Sequence, residues 1–291
     1  MKVTLIEAPI CKGSPTDGSQ YAYRSLIEGG VAACFDDTVL SPMEPPVATG
    51  ESMPNMKDVG EVMAVCRELC ARVGGAIRER RLPIVIGGDH SVAIGSLAGA
   101  ASAVGAENLA VVYIDGHTDI NTETTTETGF IHGMPLAAAM GLCDERLTVG
   151  NRVNLKGTNT YILGARSIDE EEYPIIASHG VTLYTADAIR AKGIEAVVEE
   201  LLGAITAPAI HVSFDVDFLD QAVFPSTGYR MPDGLTLADA DAILTACFAS
   251  GRVCSLDVVE YNPLLDTDRR DREKLFSLLK QIARTERKVL S

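Results

Sequence analysis

The chain has 291 residues, 46% of them hydrophobic, with 25 basic against 40 acidic side chains and a formal charge of −15. That is enough apolar material for one large core. The acidity, with no basic stretch, argues against nucleic acid and anionic membrane surfaces as partners and suits a small cationic substrate.

Trp is absent and aromatics make up only 5%, so the core must come from Val, Ile, Leu, Ala and Met. That mixture suits a parallel sheet covered by helices on both faces. No apolar run is long enough to span a bilayer. The seven cysteines are odd in number and irregularly spaced, and Met1–Ile6 reads as strand rather than as a secretory signal. The expectation is a cytoplasmic protein with reduced thiols.

In chain order, Val3–Ala8 reads as a strand. Residues 9–54 read mostly as loop, with a short helix at Tyr21–Glu28. Asn55–Arg80 is a long amphipathic helix with Val59, Val62, Met63, Cys66, Leu69 and Val73 on one face. Cys66 and Cys70 are expected to pack that helix rather than to form a redox or metal pair, because no second ligand pair accompanies them. Pro83–Ile86 is a buried strand, Ser91–Val104 an Ala-rich helix, Leu109–Ile114 a buried strand and Asn121–Gly129 a loop.

The alternation continues with a helix at Pro135–Leu142, a strand at Tyr161–Leu163, a helix at Glu170–His179 and a strand at Val181–Tyr184. Asp187–Ile205 reads as one helix, Ala209–Phe214 as a strand and Pro225–Asp233 as a loop. Thr236–Ser250 is a helix started by Thr236 with Asp239 three residues on. Val253–Val259 is a strand and Arg270–Val289 a closing helix. With no linker or repeat, this predicts a single three-layer α/β/α domain over 1–291 with a mostly parallel sheet.

Three polar segments stand at the ends of apolar runs: Gly87-Gly88-Asp89-His90, Asp115-Gly116-His117-Thr118-Asp119 and Asp215-Val216-Asp217. Ligands bind beyond the carboxyl ends of strands in open parallel sheets. If the strand continues, residues 115, 117 and 119 project to one side, and so do 215 and 217. Four Asp and two His are enough for two divalent ions, and such a pair makes water a strong nucleophile at neutral pH. Left buried and unpaired, these groups would cost several kcal/mol each. Carboxylates and imidazoles without thiolate favour Mn²⁺ or a related ion. The chain reads as a metal-dependent hydrolase. His179, before Gly180, reads as a helix-end residue, and His211 as a core residue or a support behind the ligands.

These motifs, with His132-Gly133, Phe218-Leu219-Asp220 and Asp257-Val258-Val259-Glu260-Tyr261-Asn262-Pro263, resemble the arginase/agmatinase (ureohydrolase) family over roughly residues 50 to 280. The resemblance implies the α/β/α fold, two Mn²⁺ ions, cleavage of guanidino groups to urea and an amine, and a homotrimer or homohexamer. It implies that Asp115 and Asp215 bridge the metals, with His90 and Asp119 on one and His117 and Asp217 on the other. His132, Glu260 and Asp119 are then the catalytic residues, with Glu260 holding the guanidinium and His132 relaying a proton to the leaving amine.

Within the family the loop after Asp119 is most similar to that of the arginine-cleaving members. Asn121, Thr126 and Thr128 would meet an α-carboxylate and Asp169 an α-amino group, which implies L-arginine as substrate. Three residues depart from the family pattern. Gly116 replaces Ala, Gln221 replaces Pro, and Tyr229 replaces a small hydroxyl residue near the guanidinium. Gly116 is expected to be harmless. Tyr229 keeps N-hydroxyarginine, guanidino acids and agmatine open as alternatives. A non-catalytic binding protein of the same fold would have lost ligands, and none is lost here.

Overall fold

A computed structural model describes residues 1–150 and 154–289, with side chains described through Thr285. Eight strands form one sheet: β1 (Lys2–Glu7), β2 (Asp37–Ser41), β3 (Leu82–Ile86), β4 (Leu109–Ile114), β5 (Thr160–Leu163), β6 (Thr182–Tyr184), β7 (Ala209–Asp215) and β8 (Val253–Val259). Their order is β2-β1-β3-β8-β7-β4-β5-β6, and all pairings among the described residues are parallel. The helices are α1 (Ala22–Glu28), α2 (Val59–Arg78), α3 (Ala93–Val104), α4 (Pro135–Ala139), α5 (Glu172–His179), α6 (Ala186–Lys192), α7 (Ile194–Ala204), α8 (Leu237–Ala249) and α9 (Arg270–Val289).

Strands β3, β4 and β7 are buried along their whole length, as apolar strands covered on both faces must be. Alternate residues supply two cores. Val112, Ile114, Val212 and Phe214 pack with α7, α8 and α9, whereas Val111, Tyr113 and Val85 pack with α2, α3 and α4. Helix α2 buries the predicted face. It crosses α3 where a Cβ on Gly99 would lie 2.8 Å from the Cys70 carbonyl oxygen, so Ala and Gly in α3 permit the close approach. Cys66, fully buried at that crossing, is a packing residue, and burial raises its thiol pKa.

Three element predictions need correction. Residues 9–54 contain β2, an edge strand whose exposed pattern lacks the apolar alternation that marks a strand in sequence. The helix predicted over Asp187–Ile205 is two helices, broken at Gly193 with φ 86°. The helix predicted from Asn55 starts at Val59, because Asp58 sits at φ 51° and Met53 and Met56 form a bridge. Thr236 and Asp239 form the expected reciprocal cap on α8. Replacing Thr236 by Ala is expected to lower stability by about 1 kcal/mol, measured by denaturant unfolding.

Candidate metal centre

The four residue groups singled out in sequence follow β3, β4, β7 and β8. These strands are scattered along the chain, yet they are four neighbours at the middle of the sheet, in the order β3-β8-β7-β4. Their carboxyl ends therefore converge on one rim.

Gly87 and Gly88, at φ 91° and 80°, turn the chain out of β3 into Asp89 and His90. A Cβ on Gly88 would meet Val92 at 2.8 Å and the Ala8 carbonyl oxygen at 3.0 Å, so the turn has room for glycine alone. Asp89 is buried and fixes two backbone amides, those of Gly13 (2.9 Å) and Ser91 (3.0 Å). Burial and the nearby Glu260 carboxylate push its pKa up to about 6.

His90 Nδ1 lies 2.9 Å from Asp115 Oδ2 and 3.2 Å from both Asp119 Oδ2 and Asp215 Oδ2. His117 Nδ1 lies 3.1 Å from Asp217 Oδ2 and 3.5 Å from Asp115 Oδ1. Two groups with the spacing of metal ligands result, His90–Asp115–Asp215 and Asp115–His117–Asp217, and they share Asp115. Asp119 closes on the His90 side.

Strand alternation is not what gathers them. β4 ends at Ile114, and Asp119 reaches the cluster by adopting φ 48°. β7 ends at Asp215, and Asp217 lies in the 3₁₀ turn Val216–Phe218 that Asp215 caps: Asp217 N donates to Asp215 Oδ1 at 2.7 Å. Gly116 N in turn donates to Asp217 Oδ1 at 3.0 Å, tying the β4 segment to the β7 segment.

The donor set fits a cation pair. Among the described residues, His90 Nδ1 and Asp115 Oδ2 are buried atoms without a hydrogen-bond partner, although they stand next to each other. Such atoms are costly unless a cation lies between them. The electrostatics agree. Burial, then the Asp217 and Asp115 carboxylates, raise the Asp215 pKa well above its ordinary value. Burial works against charge on His90 and His117, yet the surrounding carboxylates raise both imidazoles well above 6.5.

Three supports were not singled out in sequence. Tyr113 OH donates to Asp119 Oδ2 at 2.8 Å, and its ring stacks on His90 with centroids 4.4 Å apart. Ser213 Oγ lies 2.8 Å from His90 Nε2 and fixes the ring. The legible signal was a hydroxyl two residues before Asp115 and Asp215, on the same strand face. Buried Glu172 accepts from Ile120 N (3.1 Å) and Asp169 N (2.8 Å), holding together the two segments that carry Asn121 and Asp169. A carboxylate three residues after Asp169, at the start of a helix, was its only mark in sequence.

His211 lies apart from the cluster. It is buried between Ser255 Oγ (2.7 Å) and Asp257 Oδ2 (3.1 Å), consistent with the core reading. His179 Nδ1 bonds the Ile175 carbonyl oxygen beside the left-handed Gly180, as a helix-end residue does.

A cavity of about 150 Å³ opens over the cluster. Its lining includes His117, Asp119, His132 and Tyr229, together with Asn121, Thr126, Thr128 and Asp169. Asn121 Nδ2 donates to Asp169 Oδ2 at 2.8 Å. Thr126 and Thr128 accept from the amides of Gly129 and Phe130, so their hydroxyls also shape the loop. Glu260 sits at φ 63° past the end of β8 and accepts from His90 N at 2.9 Å. Its Oε1 is 3.5 Å from His132 Nδ1. Burial disfavours a charged His132, but Glu260, with Asp119 and Asp89 behind it, more than offsets this and raises its pKa above 6.5.

Fold and site define an α/β protein with a carboxylate–imidazole centre built to take cations beside a small cavity. Comparison with known proteins narrows this class. Residues 2–283 match the Arginase family. A curated arginase of Bacillus subtilis is 37% identical over 72% of this chain and 72% of its own length. The crystal structure of arginase from Bacillus cereus superposes with a TM-score of 0.90 at 30% identity, covering 97% of this chain and 98% of that one. The arginase structure from Bacillus caldovelox gives 0.91 at 29% identity, with the same coverage. The chain belongs to the arginase family and is a metal-dependent amidinohydrolase.

Proposed function

We propose that the protein hydrolyses L-arginine to L-ornithine and urea at a centre holding two Mn²⁺ ions. The observation that carries this reading is Asp115 shared between two ligand groups, beside a cavity lined by the cluster residues His117 and Asp119 together with Asn121 and Asp169. The sequence relatives named arginase support the substrate. His90, Asp115, Asp119 and Asp215 would hold one ion, and Asp115, His117, Asp215 and Asp217 the other.

When bound, a metal pair supplies Lewis-acid activation of water at neutral pH. The side chains do the rest. Glu260 orients the guanidinium by charge-assisted hydrogen bonds. His132, held by Glu260, carries a proton to the departing amine nitrogen as its bond to the guanidinium carbon breaks. Asn121, Thr126, Thr128 and Asp169 receive the α-carboxylate and α-amino groups. Buried carboxylates around the cavity and the overall acidity favour a cation over neutral ureas.

Urea release from L-arginine, N-hydroxy-L-arginine, agmatine and 4-guanidinobutyrate by Mn²⁺-loaded protein tests this. Preference for L-arginine is expected, and preference for agmatine would overturn the roles of Asn121 and Asp169. A second test concerns protons. His90 and His117 hold protons near neutral pH in the metal-free protein because their pKa values are raised, whereas metal ligation needs neutral imidazole. Loading Mn²⁺ is therefore expected to release protons, and affinity to rise with pH through neutrality. Calorimetry in buffers of different ionisation enthalpy measures the release, and pH-independent loading would contradict it.

The same reading includes a single domain, supported by the one continuous sheet. It includes a cytoplasmic location, supported by seven free cysteines. It also includes a homotrimer or homohexamer, supported by the exposed pair Leu264 and Leu265. No helix among the described residues is long and apolar enough to cross a membrane.

A further inference from the structure

Gly116 lies far in sequence from Gln221 and Tyr229, yet it meets the loop that carries both. We propose that they form a single device: Tyr229 is a specificity-determining wall, seated by Gly116 and Gln221 through Arg166, that admits only guanidines unsubstituted at their terminal nitrogens. The inference rests on the guanidine-hydrolase reading above and deepens it.

Tyr229 stands between the two histidines at the reacting end of the cavity. Its ring meets His117 edge-on with centroids 5.7 Å apart, and His132 at a tilt with centroids 5.3 Å apart. His117 belongs to the metal cluster and His132 faces Glu260, so a guanidinium held by Glu260 between these histidines would set its terminal nitrogens near this ring. In so small a cavity a group added to those nitrogens must displace the ring.

The ring cannot yield easily because its loop is clamped. Gln221 N donates to the Met231 carbonyl oxygen at 3.2 Å, a bond that the family's Pro, lacking an N–H, could not make. Arg166 donates from Nε to the Pro232 carbonyl oxygen at 3.0 Å and from Nη2 to that of Asp217 at 2.7 Å. Longer bonds from the same nitrogen reach Leu219 and Met231 at 3.4 Å. One guanidinium thus joins the metal-ligand turn to the loop that carries Tyr229.

Gly116 makes room for that guanidinium. A Cβ there would lie 2.6 Å from Arg166 Nη1, 2.8 Å from Met231 Cε and 2.9 Å from Asp217 Oδ1. A methyl group at this position must displace the ends of the Arg166, Met231 and Asp217 side chains, so Gly116 leaves the clamp its room.

The test compares kcat/KM for L-arginine and agmatine with that for their Nω-methyl counterparts, in Mn²⁺-loaded wild type and variants. Tyr229→Ala is expected to reduce the preference for the unsubstituted guanidine by about 10-fold or more, the usual worth of one methyl group in a fitted pocket. Tyr229→Phe is expected to retain the preference, since the ring and not the hydroxyl is the wall. Gln221→Pro is expected to lower it partly and to speed backbone amide exchange at residues 229–231 and 233, with metal content unchanged, and Gly116→Ala is expected to lower it partly. An unchanged preference in Tyr229→Ala would overturn the inference while leaving the activity standing. If wild type cleaves agmatine but not L-arginine, the L-arginine reading falls and the agmatine pair still tests the wall. No urea from either unsubstituted guanidine would overturn the activity and the inference together.

Discussion

Asp215→Asn is expected to lose bound Mn²⁺ and to cut urea release by roughly 10³-fold or more, because a catalytic metal supplies several kcal/mol of transition-state stabilisation. The fold should survive. In the metal-free protein the Asp215 carboxyl is held far above its ordinary pKa by burial and by Asp217 and Asp115. Keeping such a group ionised at neutral pH costs stability, and a neutral amide of the same shape removes that cost. The metal-free variant should therefore melt no lower than metal-free wild type, while the metal-loaded wild type melts higher than both. Elemental analysis after dialysis, with thermal melts of both forms, separates these outcomes. Normal turnover by a metal-replete variant would sink the ligand assignment.

Glu260→Gln should act differently, lowering kcat/KM for L-arginine by about 10- to 100-fold with metal content intact, since charge-assisted hydrogen bonds are worth roughly 1.5–3 kcal/mol. The local backbone should hold. Glu260 N donates to the Gly88 carbonyl oxygen at 3.1 Å, and the amide oxygen of Gln can still accept from His90 N as Glu260 Oε1 does. The loss then falls on substrate orientation and on the His132 imidazole, which Glu260 keeps above its ordinary pKa. Kinetics on L-arginine indistinguishable from wild type would remove Glu260 from the site.

Both predictions depend on the backbone conformation at positions where sequence periodicity fails. Glu260 and Asp119 lie at positive φ, which non-glycine residues adopt at a cost that surrounding structure must overcome. At Asp119 the compensation is visible. Its carboxylate accepts from Tyr113 OH, and its carbonyl oxygen accepts from Leu136 N at the start of α4. The expected reading of 115, 117 and 119 as one strand face put the right residues together by the wrong route.

The acidic stretch around Asp266–Asp271 shows the same limit. Asp266 and Asp271 are both buried. Asp266 accepts from Tyr261 OH at 2.8 Å, and Asp271 from Ser226 N at 3.0 Å, so they anchor the segment after Glu260 from within. Alternating charges on a short stretch look solvated until the partners across the fold are known.

What the sequence determined by itself is what short-range physics encodes. Apolar runs flanked by glycine and by acidic or imidazole side chains located the buried strands, though not the exposed edge strand β2, and the six clustered residues. The cap at Thr236 and the buried face of α2 followed from spacing alone. The tertiary structure decided the rest, because pairing between distant segments leaves no local pattern. It set β3, β8, β7 and β4 side by side, joined His90 N to Glu260 across 170 residues and Gly116 N to Asp217 across 101, and brought Gly116 against Arg166 and Met231.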